Sequence, residues 1–150
     1  MIKKIFAPAK NSDSANFALL VLRLWIGLEM CILHGADKLM HFDKYAAMPF
    51  ADPFGIGPSA SLALSVFAEF FASLLLVLGL FTRFGAFVLM INMTVAFVTA
   101  HHGALTGAHG GELAFVYLLV YVVIFLAGPG RFSADKLLFG KNSTAKLPQK

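Results

Sequence analysis

Four long, nearly unbroken apolar runs, at about residues 15–33, 60–80, 84–100 and 112–127, constrain this chain more than any other feature. A helix of about 20 residues rises about 30 Å, the thickness of a bilayer's hydrocarbon core. The runs are continuous rather than alternating, and an open sheet edge cannot face lipid, so strands are set aside. The expected fold is therefore all-α: an integral membrane four-helix bundle over residues 1–140, with a short amphipathic C-terminal helix and a polar tail over 141–150. Composition agrees, since 59% of the residues are hydrophobic and 13% charged, where a soluble domain carries roughly a quarter charged.

The boundaries follow from local chemistry. The first run begins near Phe17, contains Arg23 and Glu29 and is followed by no small-residue cleavage site, so it reads as a retained helix that continues through Lys38 and His41 to near Tyr45. Pro49, Pro53, Gly55, Gly57 and Pro58 stop it, and Ser59 is the expected N-cap of the second span. The short turn Gly79-Leu80-Phe81-Thr82-Arg83 requires the second and third spans to lie antiparallel. Gly128-Pro129-Gly130 closes the fourth span, after which Ser133 is expected to cap a short helix with Asp135 in its first turn.

Basic residues favour the cytoplasmic side of short loops. Lys3, Lys4 and Lys10, then Arg83, then Arg131 and the lysines beyond it fall on one side, against Lys38 and Lys44 on the other. Four spans with both termini in the cytoplasm satisfy this bias. The net charge of +4 is spread through these short stretches, which argues against nucleic acid as a partner. Cys31 is the single cysteine, so a dithiol cycle within one chain is excluded and any thiol chemistry must involve another protein.

An ionisable group inside a span costs about 2.5–3.5 kcal/mol on insertion scales, so each one asks for a partner or a purpose. On a regular helix Arg23, Gly27, Met30, His34, Lys38 and His41 share one stripe, with Asp37 beside it and Glu29 off it in a structural role. The second span carries Ser61, Ser65, Glu69 and Ser73 at four-residue spacing, which places a carboxyl among hydroxyls near mid-membrane. Arg23 is a candidate partner for Glu69. Two readings stand: a structural pair that fixes helix registry, or a proton-handling or ligand-binding group. Asn92, with Thr99 and His102 at helical spacing after it, extends the polar interior.

All five histidines fall toward the outer ends of the spans. His101, His102 and His109 are a candidate metal set, because neutral imidazole suits zinc and copper, although their spacing matches no strong signature. The alternative is interfacial histidines satisfied by water and backbone. Glu112 suits the positive N-terminus of the last span. Tyr117, Tyr121 and Phe125 recur every four residues, a wall that could receive a quinone ring or lipid tail, although a lipid-facing or packed face is the far commoner use of such a stripe.

Together these residues resemble the DoxX family of small bacterial and archaeal membrane proteins, over nearly the whole chain from Phe17 to Phe139. The resemblance rests on Arg23-x3-Gly27 with His34-Gly35-x2-Lys38, on Glu69, and on Gly79-x2-Thr82-Arg83. Gly110-Gly111-Glu112 and Gly128-Pro129-Gly130-Arg131-Phe132-Ser133-x-Asp135 add to it. The resemblance implies a four-helix membrane fold, here expected in a bacterial cytoplasmic (inner) membrane. It associates relatives with a thiosulfate:quinone oxidoreductase, with membrane redox and thiol homeostasis, and more distantly with protein assembly or cargo handling. It carries over Arg23, His34, Lys38, Glu69 and Glu112 as functional candidates.

The leading expectation is a membrane redox component, if an enzyme then a quinone-linked oxidoreductase subunit, that binds a quinone or similar small ligand between its helices. Glu69 and His34 would relay protons, while Arg23, Lys38, Asn92 and Glu112 would bind the ligand. The competing expectations are an assembly or transport partner of another protein and a metal-handling protein of the outer face. Membrane lipid, a redox or exported protein, and a second copy of the chain are the partners in view.

Overall fold

The computed structural model describes residues 12–139, apart from residue 109. Lys3, Lys4 and Lys10, His109 and the tail at 141–150 therefore lie outside the described residues. Every regular element among those described is helical. Helix α1 begins as Ser12–Glu29, widens into a π-helical stretch at Met30–Ala36 and ends as Asp37–Met40. After a break at His41, α2 covers Phe42–Ala46. Helix α3 likewise has three parts, Pro58–Val66, a π-helical stretch Phe67–Ala72, and Ser73–Leu78. Helices α4 (Thr82–Thr99), α5 (Glu112–Ala127) and the short α6 (Ala134–Phe139) complete the order.

Three helices, Asp13–Met40, Pro58–Leu78 and Thr82–Thr99, are long and apolar enough to cross a membrane. The fourth, α5, is apolar but has 16 residues, a rise of about 24 Å. It runs antiparallel along α4, with Phe97 against Phe115 and Phe87 against Phe125, ring centroids 5.5 and 6.2 Å apart. The bundle is a ring in which α1 packs on α3, α3 on α4 and α4 on α5, while α5 returns to α1 over a much thinner seam. Met30, Leu76, Leu89, Tyr121 and Ile124 fill the centre.

The π-helical stretches of α1 and α3 lie abreast. Gly35 makes this possible, since a Cβ there would sit 2.5 Å from the carbonyl of Glu69. Such wide turns are uncommon and concentrate at functional sites. Here they also rotate everything beyond them out of phase with a regular helix, so the stripe expected along α1 is not kept. Arg23 and Met30 point into the core, His34 turns to α5, and His41 is exposed.

Two ends of the bundle differ in construction. At the closed end, where α3 turns into α4 and α5 into α6, Gly79 is left-handed (φ +66°) and packs on Arg23. Asp135 accepts from the amides of Phe81 and Thr82 at 2.7 and 2.9 Å, and so caps α4 from the far side of the chain. Ser133 accepts from the Lys136 amide at 3.2 Å, capping α6. At the open end, the segment after α2 folds over the start of α3. Gly57, not Ser59, is the N-cap position there and has no side-chain cap of its own. Asp52 replaces it, accepting from the amides of Ile56 and Gly57 at 3.1 and 2.8 Å and from the Ser61 hydroxyl at 2.7 Å.

Candidate ligand site

Lys38 and Glu69 form an ion pair between the two π-helical regions. The Glu69 side chain is 6% exposed and that of Lys38 19%, so the pair is largely withdrawn from solvent. The other carboxylate oxygen accepts from the Ser65 hydroxyl and from the Asn92 amide, each at 3.1 Å. One carboxylate thereby collects donors from α1, α3 and α4. This is the satisfaction that a charge needs before it can remain buried.

The pair forms the floor of a cavity of about 670 Å³ between α3, α4 and the segment that follows α2. Its walls are apolar, with Phe50, Phe54, Leu64, Ile91 and Val95 among them, and Ser61 and Thr99 add hydroxyls. The volume lies within the range of small-molecule sites, which are mostly apolar with a few convergent polar groups. Asp52 holds the covering segment in place through Ser61. Its carboxyl is kept below the usual range chiefly by the Ser61 hydroxyl and further by the backbone amides of Gly57 and Ile56.

The candidate residues separate into three places. Lys38, Glu69 and Asn92 meet at the cavity floor. Arg23 does not pair with Glu69. It is 1% exposed at the closed end and donates to the carbonyls of Leu76, 3.1 Å away, and Phe132. Depth decides this: in the antiparallel pair Gly27 of α1 already faces Ser73 and Val77 of α3, so Arg23, a turn further on, meets the end of α3 rather than its middle. His34 lies edge-on to Tyr117 at 6.1 Å and does not line the cavity. Glu112 is exposed in the first turn of α5, also away from it. His101 and His102 lie in the connection between α4 and α5, and His101 packs on Gly111. Among the described residues no three His, Cys, Asp or Glu are grouped to hold a metal ion.

The segments that compose this geometry are those matched by a family model described as DoxX, which covers residues 18–102. The chain belongs to the DoxX family. Two relatives of this DoxX protein come from Haemophilus influenzae, both described as uncharacterized proteins. One is 34% identical over 119 residues, covering 75% of this chain and 84% of the relative; the other is 27% identical over 129 residues, covering 83% and 85%. No solved structure matches the chain. Family membership with apolar spans establishes a helical membrane protein.

Asp52 and the wall formed by the segment after α2 escaped the sequence reading. The signal was present: Asp52-Pro53 followed by Gly55 and Gly57 is Asx-turn chemistry, in which the carboxylate takes nearby backbone amides. As a helix stop alone, the prolines and glycines of this segment do not disclose that wall. Asp135 carries a similar lesson, because its capping partner lies in another helix rather than in its own.

Proposed function

We propose that this DoxX protein binds a lipid-soluble molecule with a flat, acceptor-bearing polar head, of the quinone class, in the cavity floored by Lys38, Glu69 and Asn92. The observation that carries the reading is the Lys38–Glu69 pair at the base of an apolar cavity within the membrane-spanning part of the chain. A quinone offers carbonyl oxygens and an apolar body. Lys38 and Asn92 supply N–H donors for the first, and the phenylalanine-rich walls supply surface for the second. Glu69 would exchange a proton with the head group. Reduction of a quinone takes up two electrons and two protons; a redox partner protein would provide the electrons, with Lys38 and Glu69 on the proton side.

The test uses the full chain in lipid nanodiscs, titrated with short-chain benzoquinones and naphthoquinones and followed by thermal melting. The expected result is a saturable rise in melting temperature that is lost in K38M and in N92L. Absence of any quinone-dependent shift, together with full cellular function of E69Q, overturns the reading.

A further inference from the structure

Helices α3 and α4 wall the cavity, but they are not joined evenly along their length. Toward the closed end they meet through backbone, since a Cβ at Gly85 of α4 would lie 2.9 Å from the carbonyl oxygen of Ala72 on α3. Midway, the Asn92 amide donates to the Glu69 carboxylate at 3.1 Å. Helix α3 packs on α4 through Phe67–Ala72 and Ser73–Leu78, whereas its first part, Pro58–Val66, hardly touches it. The pair is closed at one end and splayed at the other, and the cavity of about 670 Å³ occupies the splay.

The splay faces hydrocarbon. Leu64 and Phe67 of α3 and Ile91 of α4 line the cavity, yet they are 52%, 44% and 45% exposed. A side chain that both lines a cavity and shows on the outer surface stands on its rim. Glu69 and Ile91 lie midway along their spans, roughly 12–17 Å from the ends of helices that rise about 1.5 Å per residue. That is the middle of a hydrocarbon core about 30 Å thick. The end nearer the membrane surface is roofed instead, by Phe50 and Phe54 of the segment that Asp52 ties to Ile56, Gly57 and Ser61. Lys38 and Glu69 are the charged residues of the lining, and both sit at the floor, so the rim is apolar.

We infer that the cavity opens sideways into the bilayer, through a portal between α3 and α4 rimmed by Leu64, Phe67 and Ile91, and that its ligand carries an apolar chain too long for the cavity. The polar head reaches the Lys38–Glu69 floor while the chain remains in the membrane. Chain length is then no obstacle to binding, because an apolar chain that leaves between two spans passes from an apolar wall into lipid and never meets water. The same geometry selects against a water-borne ligand, for which the roof of Phe50 and Phe54 is the nearer face and a closed one. The chemistry of the head rests on the quinone reading above; the portal rests on the packing of α3 and α4 alone.

The experiment has two arms, both on the full chain in nanodiscs. Trp25 is the single tryptophan and is 74% exposed; W25F removes it, and A68W places a tryptophan at a cavity-lining position that is itself 3% exposed. Phosphatidylcholine brominated midway along its acyl chains is expected to quench A68W at least half as strongly as it quenches Trp25 in the parent, while aqueous acrylamide leaves A68W unaffected. Quenching by acrylamide alone, or by neither, overturns the portal. Should A68W not assemble, A96W at another lining position is read the same way. In the second arm the unaltered protein is melted with quinones of one head and increasing prenyl length, at equal mole fractions in the lipid. The half-saturating mole fraction is expected to stay within threefold as the chain outgrows the cavity, and a rise of tenfold or more overturns the inference. Silence toward every quinone, with A68W quenched by the brominated lipid, removes the quinone reading and leaves the portal standing.

Discussion

The closed and open ends of the bundle each withdraw a cation from solvent, Arg23 wholly and Lys38 in large part, and they resolve it in opposite ways. Arg23 is held by backbone, its two terminal nitrogens donating to the carbonyls of Leu76 near the end of α3 and of Phe132 just before α6, with Gly79 pressed against it. Lys38 is satisfied by a side chain, and among the described residues Glu69 is its one hydrogen-bond partner. An ammonium has three donors, and the cavity lies alongside it. A backbone-capped cation is spent on holding chain ends together. A cation paired with one carboxylate beside a cavity retains donors for something else. The contrast lies in what each arrangement leaves over.

The sharpest way to break this comparison is at the closed end. R23M removes two hydrogen bonds made by a charged group, each worth about 1.5–3 kcal/mol, and is expected to cost about 3–5 kcal/mol, enough to remove most of the protein from the membrane fraction. G79A should act the same way, because a Cβ there would lie 2.1 Å from the Arg23 guanidinium in a left-handed turn. Yield and melting in detergent measure both. Normal yield of R23M would show that Arg23 is as dispensable to the fold as a ligand-binding residue is expected to be.

A second prediction concerns the contact that brings the π-helical regions together. At Gly35 an added methyl meets the backbone of Glu69 and Phe70, at 2.5 and 2.6 Å, whereas at Gly27 the nearest atom is a Val77 methyl at 2.9 Å. Backbone cannot move aside as a side-chain tip can. G35A is thus expected to cost about 1–3 kcal/mol, in the range of an overpacked core, and G27A less. G35A should also weaken the Lys38–Glu69 contact, which a matched loss of ligand response would reveal. Equal melting of the two variants would sink the claim that Gly35 sets the registry of α1 on α3.

What could be read beforehand divides along the same line. Helix number, order and the antiparallel hairpin were legible, because long apolar runs and glycine–proline stops act locally. Glu69, Lys38 and Asn92 were each legible as polar residues in costly places. Their pairing was not, since a regular 100° rotation puts Lys38 on the Arg23 stripe, and nothing in the sequence announces the wide turns at Met30–Ala36 and Phe67–Ala72. The two glycine-rich motifs flanking Thr82 and Ser133 were visible separately. Only the fold shows them as one closure, with Arg23 and Asp135 reaching across it.

Third in size is the open-end pair itself. K38M removes one partner of a buried carboxylate, but Glu69 can take up a proton and retains Ser65 and Asn92, so about 1–2 kcal/mol is expected. The double variant K38M/E69Q should recover most of that stability while ligand response stays absent. This separates stability from binding at the open end, where R23M cannot separate them at the closed one. Recovery of ligand response together with stability in the double variant would mean that the pair merely braces the helices.

The smallest effect belongs to Asp52, and it carries a definite sign. Its folded-state pKa is lowered, first by the Ser61 hydroxyl and then by the amides of Gly57 and Ile56. A depressed carboxyl contributes stability that is complete above its unfolded value of about 3.9 and fades as the pH falls through the folded value. The covering segment should therefore stay anchored across neutral and mildly acid conditions and loosen only in strong acid. D52N places an amide NH2 against backbone N–H groups that need an acceptor, so the segment should be cleaved faster by protease at neutral pH, with little change in melting. The difference between D52N and the parent should then shrink as acid protonates the parental carboxyl. A difference that stays constant down to strongly acid pH would show that Asp52 anchors the segment by shape rather than by charge, and would leave the Lys38–Glu69 pair as the charged contact that matters at the open end.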